Sequence, residues 1–186
     1  AVRTSGGRVT GLSTTQGEFD APIVINAAGR WAKQVASLAG IEVPLETWTH
    51  DVAFLHRPPS LGSFPAVIDD IANCYFRPEG SALILAASED DSLRNETPEA
   101  DEQTPSPSFL ENLIDNMVRR IPKIEESGLQ SIHVGRDGLT PDQRAIYSAS
   151  GLDGCYLACG LSGTGFKTSP AAGASMVELI LDGKPK

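Results

Sequence analysis

The fold of this chain is set by the sequence Gly160-Leu161-Ser162-Gly163-Thr164-Gly165-Phe166-Lys167-Thr168-Ser169-Pro170. An apolar run, Cys155–Cys159, precedes it and predicts a strand. Glycine favours tight turns and a close approach of the backbone to a ligand. Ser169 and Pro170 then predict the N-cap and the first position of a helix. A strand, a glycine loop and a helix N-terminus can receive an anion or an electron-rich ring, although a tight turn without a ligand has the same pattern.

The glycine spacing differs from the usual dinucleotide-binding pattern. The loop reads G-x-x-G-x-G, and neither G-x-G-x-x-G nor G-x-x-x-x-G-K-[ST] occurs in the 186 residues. A nucleotide-binding domain that opens with its own phosphate loop is therefore absent from this sequence. The first residue is Ala1 rather than Met, and it falls inside a predicted strand, so we expect the chain to be part of a longer protein.

Composition and charge exclude several functions. The net charge of −9 argues against binding to nucleic acid, which requires a basic surface. No run of about 18 apolar residues is present, so no membrane span is predicted. No grouping of His and Cys has zinc spacing, and no metal site is predicted.

The cysteines indicate the redox compartment. The three cysteines cannot all pair with one another. Cys155 and Cys159 would lie roughly 13 Å apart on one strand, which is too far for a disulfide. We therefore expect a reducing compartment, either the cytoplasm or another one such as the mitochondrial matrix.

Residues 1–44 predict a hairpin, a buried strand and a helix. Residues 1–20 read as antiparallel strands that turn at Gln16-Gly17. The β-branched run over residues 22–29 predicts a strand buried on both faces, as in parallel sheets covered by helices. Ligands on such sheets bind beyond the carboxyl ends of the strands. A helix is predicted over residues 30–39. Its packed face carries Trp31, Val35 and Leu38.

Residues 45–134 predict an antiparallel sheet with a packed helix. Short strands are predicted over residues 47–55, 66–69, 74–77, 82–87 and 129–134, with Pro and Gly turns between the earlier ones. Residues 88–106 carry a local charge of −6, which indicates a flexible acidic loop or a metal or partner site. Its acids are Glu89, Asp90, Asp91, Glu96, Glu99, Asp101 and Glu102.

Helices are predicted on either side of residues 135–142, which read as irregular. Ser106-Pro107 opens the first helix, which runs to Arg120. Its apolar stripe is Phe109, Leu110, Leu113, Ile114, Met117 and Ile121. The second helix covers residues 170–181 and is apolar nearly all round, so we expect it to be buried against a sheet.

Four blocks of sequence together indicate a family. They are Val24-Ile25-Asn26-Ala27-Ala28-Gly29-Arg30-Trp31, Tyr75-Phe76-Arg77-Pro78-Glu79-Gly80, residues 135–142 with Thr140-Pro141-Asp142, and residues 160–170. In this order they resemble the FAD-dependent amine and amino-acid oxidoreductases of the D-amino-acid oxidase type. The sarcosine oxidase and dimethylglycine dehydrogenase branch is nearest, and the resemblance covers almost the whole chain.

The resemblance implies a fold that is α/β and α+β. Residues 1–44 and 135–186 would be part of an FAD-binding α/β domain. Residues 45–134 would be an antiparallel-sheet substrate domain with packed helices. The family's ADP-binding unit lies upstream of the part that matches Ala1, so we expect the isolated chain to bind FAD poorly or not at all. No cysteine lies between Cys74 and Cys155, so the covalent flavin link that relatives form near Gly135 cannot form here, and FAD is non-covalent as far as this chain shows.

The resemblance also implies site residues. The cofactor-binding residues would be Ala28, Gly29, Trp31, Gly160, Leu161, Ser162, Gly163, Thr164, Gly165, Phe166 and Lys167. Flavin reduction places negative charge at the pyrimidine edge, and a helix N-terminus there would stabilise it. Thr164 stands where close relatives often carry histidine, which leaves that contact open.

Two residues match substrate-binding positions of the family. Lys167 matches the lysine that binds the substrate carboxylate in sarcosine-oxidase-like members, and a solvated loop lysine is the alternative. Tyr75 matches an aromatic residue that lines the substrate cavity, and a half-buried strand tyrosine is its alternative. His50 and His133 lie on predicted strands and are interpreted as structural. No catalytic residue is assigned.

The implied function is a flavoenzyme that oxidises the C–N bond of a small amino acid or of a secondary or tertiary amine, sarcosine-, dimethylglycine- or glycine-like. A dehydrogenase is favoured over an oxidase. Members that use O₂ well carry a lysine over the flavin, its nearest match here is Ile84, and no lysine lies between Lys33 and Lys123. Electrons would then pass to an acceptor protein or a quinone. The second hypothesis is a non-catalytic subunit or interaction domain that keeps the fold without flavin.

Overall fold

The computed structural model describes residues 1–88, 94–101 and 104–185. The strands, numbered in chain order, are β1 (Val2–Ser5), β2 (Arg8–Thr14), β3 (Gly17–Asp20), β4 (Val24–Asn26), β5 (Glu46–His56), β6 (Val67–Asp69), β7 (Cys74–Glu79), β8 (Leu83–Ser88), β9 (Arg94–Glu96), β10 (Leu129–Leu139), β11 (Ile146–Ala149) and β12 (Cys155–Cys159). The α-helices are α1 (Ala32–Ser37), α2 (Phe109–Val118) and α3 (Gly165–Asp182), and 3₁₀ helices cover Gly29–Trp31 and Pro122–Glu126.

The chain forms two compact units. Unit 1 comprises Ala1–Trp48 and Asp137–Lys186, and unit 2 comprises Thr49–Arg136. The unit boundaries therefore fall inside β5 and β10, whereas the sequence predicted domain boundaries at residues 44/45 and 134/135.

Unit 1 holds two three-stranded sheets. β1, β2 and β3 form antiparallel hairpins, with Gly11 opposite both Arg3 and Asp20, which confirms the predicted hairpin and adds β1 to it. β12 pairs in parallel with β4 and antiparallel with β11, in the order β11-β12-β4.

The prediction that the strand at residues 22–29 is buried on both faces is wrong. β4 is short, and Ile25 is 45% exposed. β4 is the edge strand of its sheet within the described residues, with Asn26 buried on one face and Ile25 exposed on the other.

The core of unit 1 lies between α1 and β12. It consists of Ala32, Ala36, Val43, Leu45, Leu157 and Cys159. The predicted packed face of the helix is wrong, because Trp31 is 40% and Leu38 57% exposed. Ala32 and Ala36, four residues apart, face the sheet instead. Their small side chains let the helix axis approach the strand closely.

Unit 2 is an antiparallel sheet packed on α2, in the strand order β10-β5-β8-β7-β6 with β9 on β5. This confirms the predicted short strands and the apolar helix stripe, whose residues Phe109, Leu113 and Met117 are buried. Alternate residues of β5 and β8, such as Ala53 and Ile84, point into the same core.

Three details of the predicted elements in unit 2 are wrong. α2 begins at Phe109 rather than at Ser106. β10 continues through residues 135–139, which the sequence predicts to be irregular. The His50 ring packs closely against Gly135, where a Cβ would lie 3.0 Å from it. Part of the predicted acidic loop is β9, and Glu96 on it pairs with the buried guanidinium of Arg136 at 3.2 Å. Glu89, Asp90, Asp91 and Glu102 lie outside the described residues.

The predicted start of the last helix at Ser169-Pro170 is also wrong. α3 begins at Gly165, with Thr164 as N-cap and Pro170 inside it. Proline has no N–H to bond the carbonyl four residues earlier, which belongs to Phe166. The Ser169 hydroxyl donates to that carbonyl over 3.0 Å, and the Thr168 hydroxyl donates to the Thr164 carbonyl over 3.0 Å. The Ser169 bond satisfies the carbonyl that Pro170 leaves without a donor, inside a helix that begins at Gly165.

The last helix packs against a strand, as expected, but only part of its apolar surface is buried. Met176 is buried, but Val177 is 55% and Leu181 75% exposed. In the described chain α3 lies on β11, which covers one side of the helix.

None of the three cysteines forms a disulfide, and all three are buried. Burial raises the pKa of the Cys159 thiol. The described residues contain no cluster of His, Cys, Asp or Glu that could hold a metal ion. None of the described helices is both long enough and apolar enough to cross a bilayer.

Candidate functional site

The glycine loop, residues 160–164, begins where β12 ends and packs against the end of β10. Gly160 has φ +65°, and a Cβ there would lie 2.4 Å from Thr140 Cγ2. Both its left-handed backbone and its lack of a side chain are therefore required at this position.

Hydrogen bonds fix the loop to residues 138–140. The Ser162 amide donates to the Gly138 carbonyl over 3.1 Å, and the Thr140 amide donates to Ser162 Oγ over 3.3 Å. Ser162 has φ +48°, a left-handed conformation that is uncommon for serine. Its side chain compensates by donating to the Gly160 carbonyl over 3.0 Å.

The turn after β10 is itself closed by hydrogen bonds. The Thr140 hydroxyl donates to the Arg144 carbonyl over 2.8 Å, and the Gln143 amide donates to the Thr140 carbonyl over 3.0 Å. The Arg144 amide donates to Asp142 Oδ1 over 3.1 Å and lowers the pKa of that carboxyl. The Thr140-Pro141-Asp142 block thus forms a rigid support under the glycine loop.

Asp137 is a residue at the site that the sequence reasoning did not single out. Its Oδ2 accepts the Gly163 amide over 2.7 Å, and its Oδ1 accepts the Gly138 amide over 2.7 Å. The sequence carried no separate signal for it, because an Asp-Gly pair reads as a turn. Only the proximity of the end of β10 to the loop makes this carboxylate a bridge.

The end of β4 reaches the same place. The Asn26 side chain, which is buried, donates to the Ala32 carbonyl over 2.8 Å and accepts the Ala28 amide over 3.3 Å. This fixes the turn at Ala28 and Gly29, where Gly29 has φ +56°. A Cβ on Gly138 would lie 3.3 Å from the Gly29 carbonyl, so the β4 end and the glycine loop both adjoin Gly138.

Three amides of the loop already have acceptors in the protein. Ser162 N–H and Gly163 N–H have the acceptors described above, and Thr164 N–H donates to the Leu161 carbonyl over 2.9 Å. The first turn of α3 differs, because no side chain caps it. The Thr164 hydroxyl, in the N-cap position, donates backward to the Leu161 carbonyl over 2.7 Å. Amide donors for a ligand are therefore in the first turn of α3 rather than in the preceding loop.

Lys167 belongs to that first turn, where its side chain is exposed, and Phe166 beside it is 98% exposed. Trp31, next to the β4 end, is 40% exposed, and the Arg30 guanidinium lies 4.1 Å from its ring centroid. Unit 1 thus combines an aromatic surface, a lysine and the positive end of a helix macrodipole.

Tyr75 belongs to unit 2. It is half-buried on β7, opposite Ala87 of β8 and Ile68 of β6. Its side of the sheet is the one not covered by α2, since the neighbouring residues Cys74 and Phe76 are in the core. On the same sheet the His133 ring lies 5.0 Å from that of Phe54.

Ile84, the nearest match to the oxidase lysine with an alignment error of one or two places, lies in β8. Ile84 is fully buried in the core under α2. Because side chains alternate along a strand, Leu83 and Leu85 point to the uncovered side, and Leu85 is opposite Phe54.

Comparison with known proteins identifies the family. The model of the family described as FAD dependent oxidoreductase matches residues 1–179. The chain belongs to this family. Its fold is the α/β and α+β architecture that the sequence predicted, and the family resemblance is confirmed.

Individual relatives agree with this. Human mitochondrial sarcosine dehydrogenase is 29% identical over 186 residues, covering 96% of this chain and 20% of the relative. The sarcosine oxidase subunit beta of Rhodobacter capsulatus is 26% identical, covering 98% of this chain and 42% of the relative. The crystal structure of L-proline dehydrogenase from P. horikoshii has the same fold, with a TM-score of 0.87 at 24% identity over 100% of this chain and 49% of that one. The chain spans less than half the length of each of these proteins.

The residues of unit 1 fit an FAD edge. A side chain on Gly29 would meet nothing within 4 Å, and one on Gly163 would meet only Trp48 at 4.0 Å, so both glycines leave room beside the backbone. The uncapped amides of α3 suit an electron-rich ring edge, and Trp31 and Phe166 offer apolar surface to a planar group.

Proposed function

We propose that the protein to which this chain belongs uses FAD to oxidise the C–N bond of a small amino acid or of a secondary or tertiary amine. The observation that carries the proposal is the first turn of α3, which has no side-chain cap and bears Lys167. The loop before this turn is hydrogen-bonded to β10, and the end of β4 adjoins the same part of β10. Membership of the FAD-dependent family and the names of the sarcosine-oxidising relatives support this substrate class.

The cofactor would be held where the glycine backbone leaves free space and where aromatic side chains are exposed. Ala28, Gly29 and Trp31 would border it on one side, and residues 165–167 at the start of α3 on the other. Bound FAD supplies a two-electron acceptor for the C–H bond next to the substrate nitrogen. The α3 amides and helix dipole stabilise negative charge that develops near them, with no reorganisation needed.

Lys167 would bind the substrate carboxylate. An ammonium group on the first turn of a helix adds a mobile point charge to the fixed charge of the helix end, and both attract a carboxylate. Anchoring the carboxylate orients the rest of a small amino acid, which lowers the entropy cost of reaction. Tyr75 would line the substrate cavity, as the matching aromatic residue does in the family.

We further propose a dehydrogenase that transfers electrons to an acceptor protein or a quinone. The support is the absence of lysine between Lys33 and Lys123, which includes all of β5 to β8. The Arg77 guanidinium, on β7, is already paired with Glu79 at 2.5 Å.

Anaerobic mixing of the full-length protein with sarcosine, dimethylglycine and glycine tests the proposal. We expect the visible flavin absorbance to bleach with at least one of them. A full-length protein with no flavin absorbance would support the non-catalytic subunit instead. Flavin that none of these amines reduces would contradict the substrate class.

A further inference from the structure

Asp137 joins the last residues of β10 to the glycine loop by two short hydrogen bonds. Its two carboxylate oxygens accept different amides, those of Gly138 and Gly163, each over 2.7 Å. Bonds from amides to an ionised acceptor are stronger than those between neutral groups. This one side chain therefore fixes Gly163 relative to the support formed by residues 138–140.

Gly163 immediately precedes the N-cap of α3. The position and direction of the first helical turn depend on the peptide groups that lead into it, and Gly163 has φ +75° there. Glycine by itself tolerates many conformations, so an external bond is needed to select one. The Asp137 carboxylate supplies that bond, and its negative charge near the helix N-terminus is favourable with the helix dipole.

We infer that Asp137 is a positioning residue that sets the first turn of α3, and with it Lys167, by holding the Gly163 amide. This inference rests on the proposed function in assigning the substrate carboxylate to Lys167. Asp137 itself does not contact the substrate in this account. It acts through the loop.

Two substitutions of Asp137 remove one or both of its hydrogen-bond acceptors. Asp137→Asn keeps one acceptor oxygen but places an amide donor where the second acceptor was, so one of the two backbone amides loses its partner. Asp137→Ala removes both acceptors. Asp153→Asn is the matched control, because Asp153 is an exposed carboxylate of the same unit that precedes β12, at the opposite end of the strand from the loop.

In the full-length holoenzyme we expect Asp137→Ala to raise KM for the amino-acid substrate roughly tenfold, with a smaller change in kcat. Asp137→Asn should lie between wild type and Asp137→Ala, which is the rescue expected of a partial acceptor. Asp153→Asn should leave both constants unchanged. An unchanged KM in folded Asp137→Ala would overturn the inference.

A second readout does not depend on activity. Trp48 Cζ3 lies 4.0 Å from the position a Cβ of Gly163 would take, so Trp48 reports on the loop. In full-length protein labelled with 5-fluorotryptophan, the Trp48 signal is assigned by its loss in Trp48→Phe. Asp137→Ala, and less so Asp137→Asn, should shift this ¹⁹F signal, and Asp153→Asn should not.

The two readouts together decide the inference. A raised KM with an unmoved Trp48 signal would show that Asp137 acts by another route, and a moved signal with an unchanged KM would show that the loop does not set Lys167. If no amine is oxidised at all, the proposed function fails. The Trp48 signal then decides separately whether Asp137 holds the loop.

Discussion

Lys167 occupies the first turn of α3, not a loop, and its exposed side chain is free to reach a substrate. Lys167→Met keeps much of the side-chain length and removes the charge. A carboxylate contact made in both the ground state and the transition state affects KM more than kcat. Losing a charge-assisted bond costs about 1.5–3 kcal/mol, so we expect KM to rise roughly 10- to 150-fold.

Steady-state kinetics of the full-length enzyme measure this change. Lys184→Met, just beyond the other end of the same helix, removes the same charge and should leave KM as in wild type. A Lys167→Met enzyme with wild-type KM for every amino acid it oxidises would remove Lys167 from the site.

Gly160 offers a second test at a single residue. Alanine there must adopt φ +65° and place its Cβ 2.4 Å from Thr140 Cγ2. We expect Gly160→Ala to lower the free energy of unfolding by about 2–5 kcal/mol, from backbone strain and overpacking together.

Gly183→Ala is the matched control for Gly160→Ala. Gly183 has φ +75°, but a Cβ there would meet nothing within 4 Å, so only the backbone strain of about 1–2 kcal/mol remains. Urea denaturation of both variants gives the difference. Equal losses of stability would show that Thr140 does not press on the loop.

Between elements, the ion pair of Asp69 and Arg120 connects the end of β6 to the residues that follow α2. Arg120 Nε and Nη2 both donate to the Asp69 carboxylate, which also accepts the Ala72 amide over 2.9 Å and the Ile71 amide over 3.0 Å. The Arg120 hydrogen bond first, and then these amides, lower the pKa of Asp69 from 3.8 to about 2.

This lowered pKa predicts a pH dependence of stability. A carboxyl whose pKa is lower in the folded state stabilises the fold fully above its unfolded pKa of 3.8, and the contribution is lost as pH falls through about 2. Asp69→Asn should therefore be less stable than wild type at pH 6, and the difference should shrink as pH falls from about 4 toward 2. Chemical denaturation at several pH values checks it.

Asp70→Asn removes the same charge from the adjacent exposed side chain and serves as the control. We expect it to have little effect on stability at pH 6. A wild-type minus Asp69→Asn difference that stays constant down to pH 2 would contradict the assignment of the pKa to this pair.

The spacing of apolar residues predicts a strand or helix well where one face of that element is buried. β5 alternates buried and half-buried residues along its length, and α2 buries Phe109, Leu113 and Met117, so both could be found from sequence. The start of α3 could not, because the Ser169 hydroxyl donates to the Phe166 carbonyl, whose helical donor Pro170 lacks. The exposure of Ile25 could not either, because a run of apolar residues does not show whether both faces of its strand are covered.

For the molecule as a whole, three of the four sequence blocks converge in unit 1. Around Gly138 lie the end of β4, residues 135–142 and the glycine loop. The order of these segments in the sequence does not show that they are close in space. The glycine loop was predicted as a unit, yet its amides divide into those already bonded and those of the α3 turn. Asp137 accepts the Gly163 amide of this loop but belongs to no sequence motif, so its role depends on the proximity of β10 and the loop in the fold.

The route of the electrons is the broadest prediction. A positive charge over the flavin favours electron transfer to O₂ through electrostatic stabilisation of the product anion. No lysine lies between Lys33 and Lys123, and the guanidinium of Arg77 on β7 is paired with Glu79. We therefore expect slow reoxidation by O₂ of the substrate-reduced full-length protein. Stopped-flow mixing with air-saturated buffer measures the rate, and mixing with a quinone acceptor is the control, which should reoxidise the flavin quickly. Reoxidation by O₂ as fast as by the quinone would show that the protein is an oxidase.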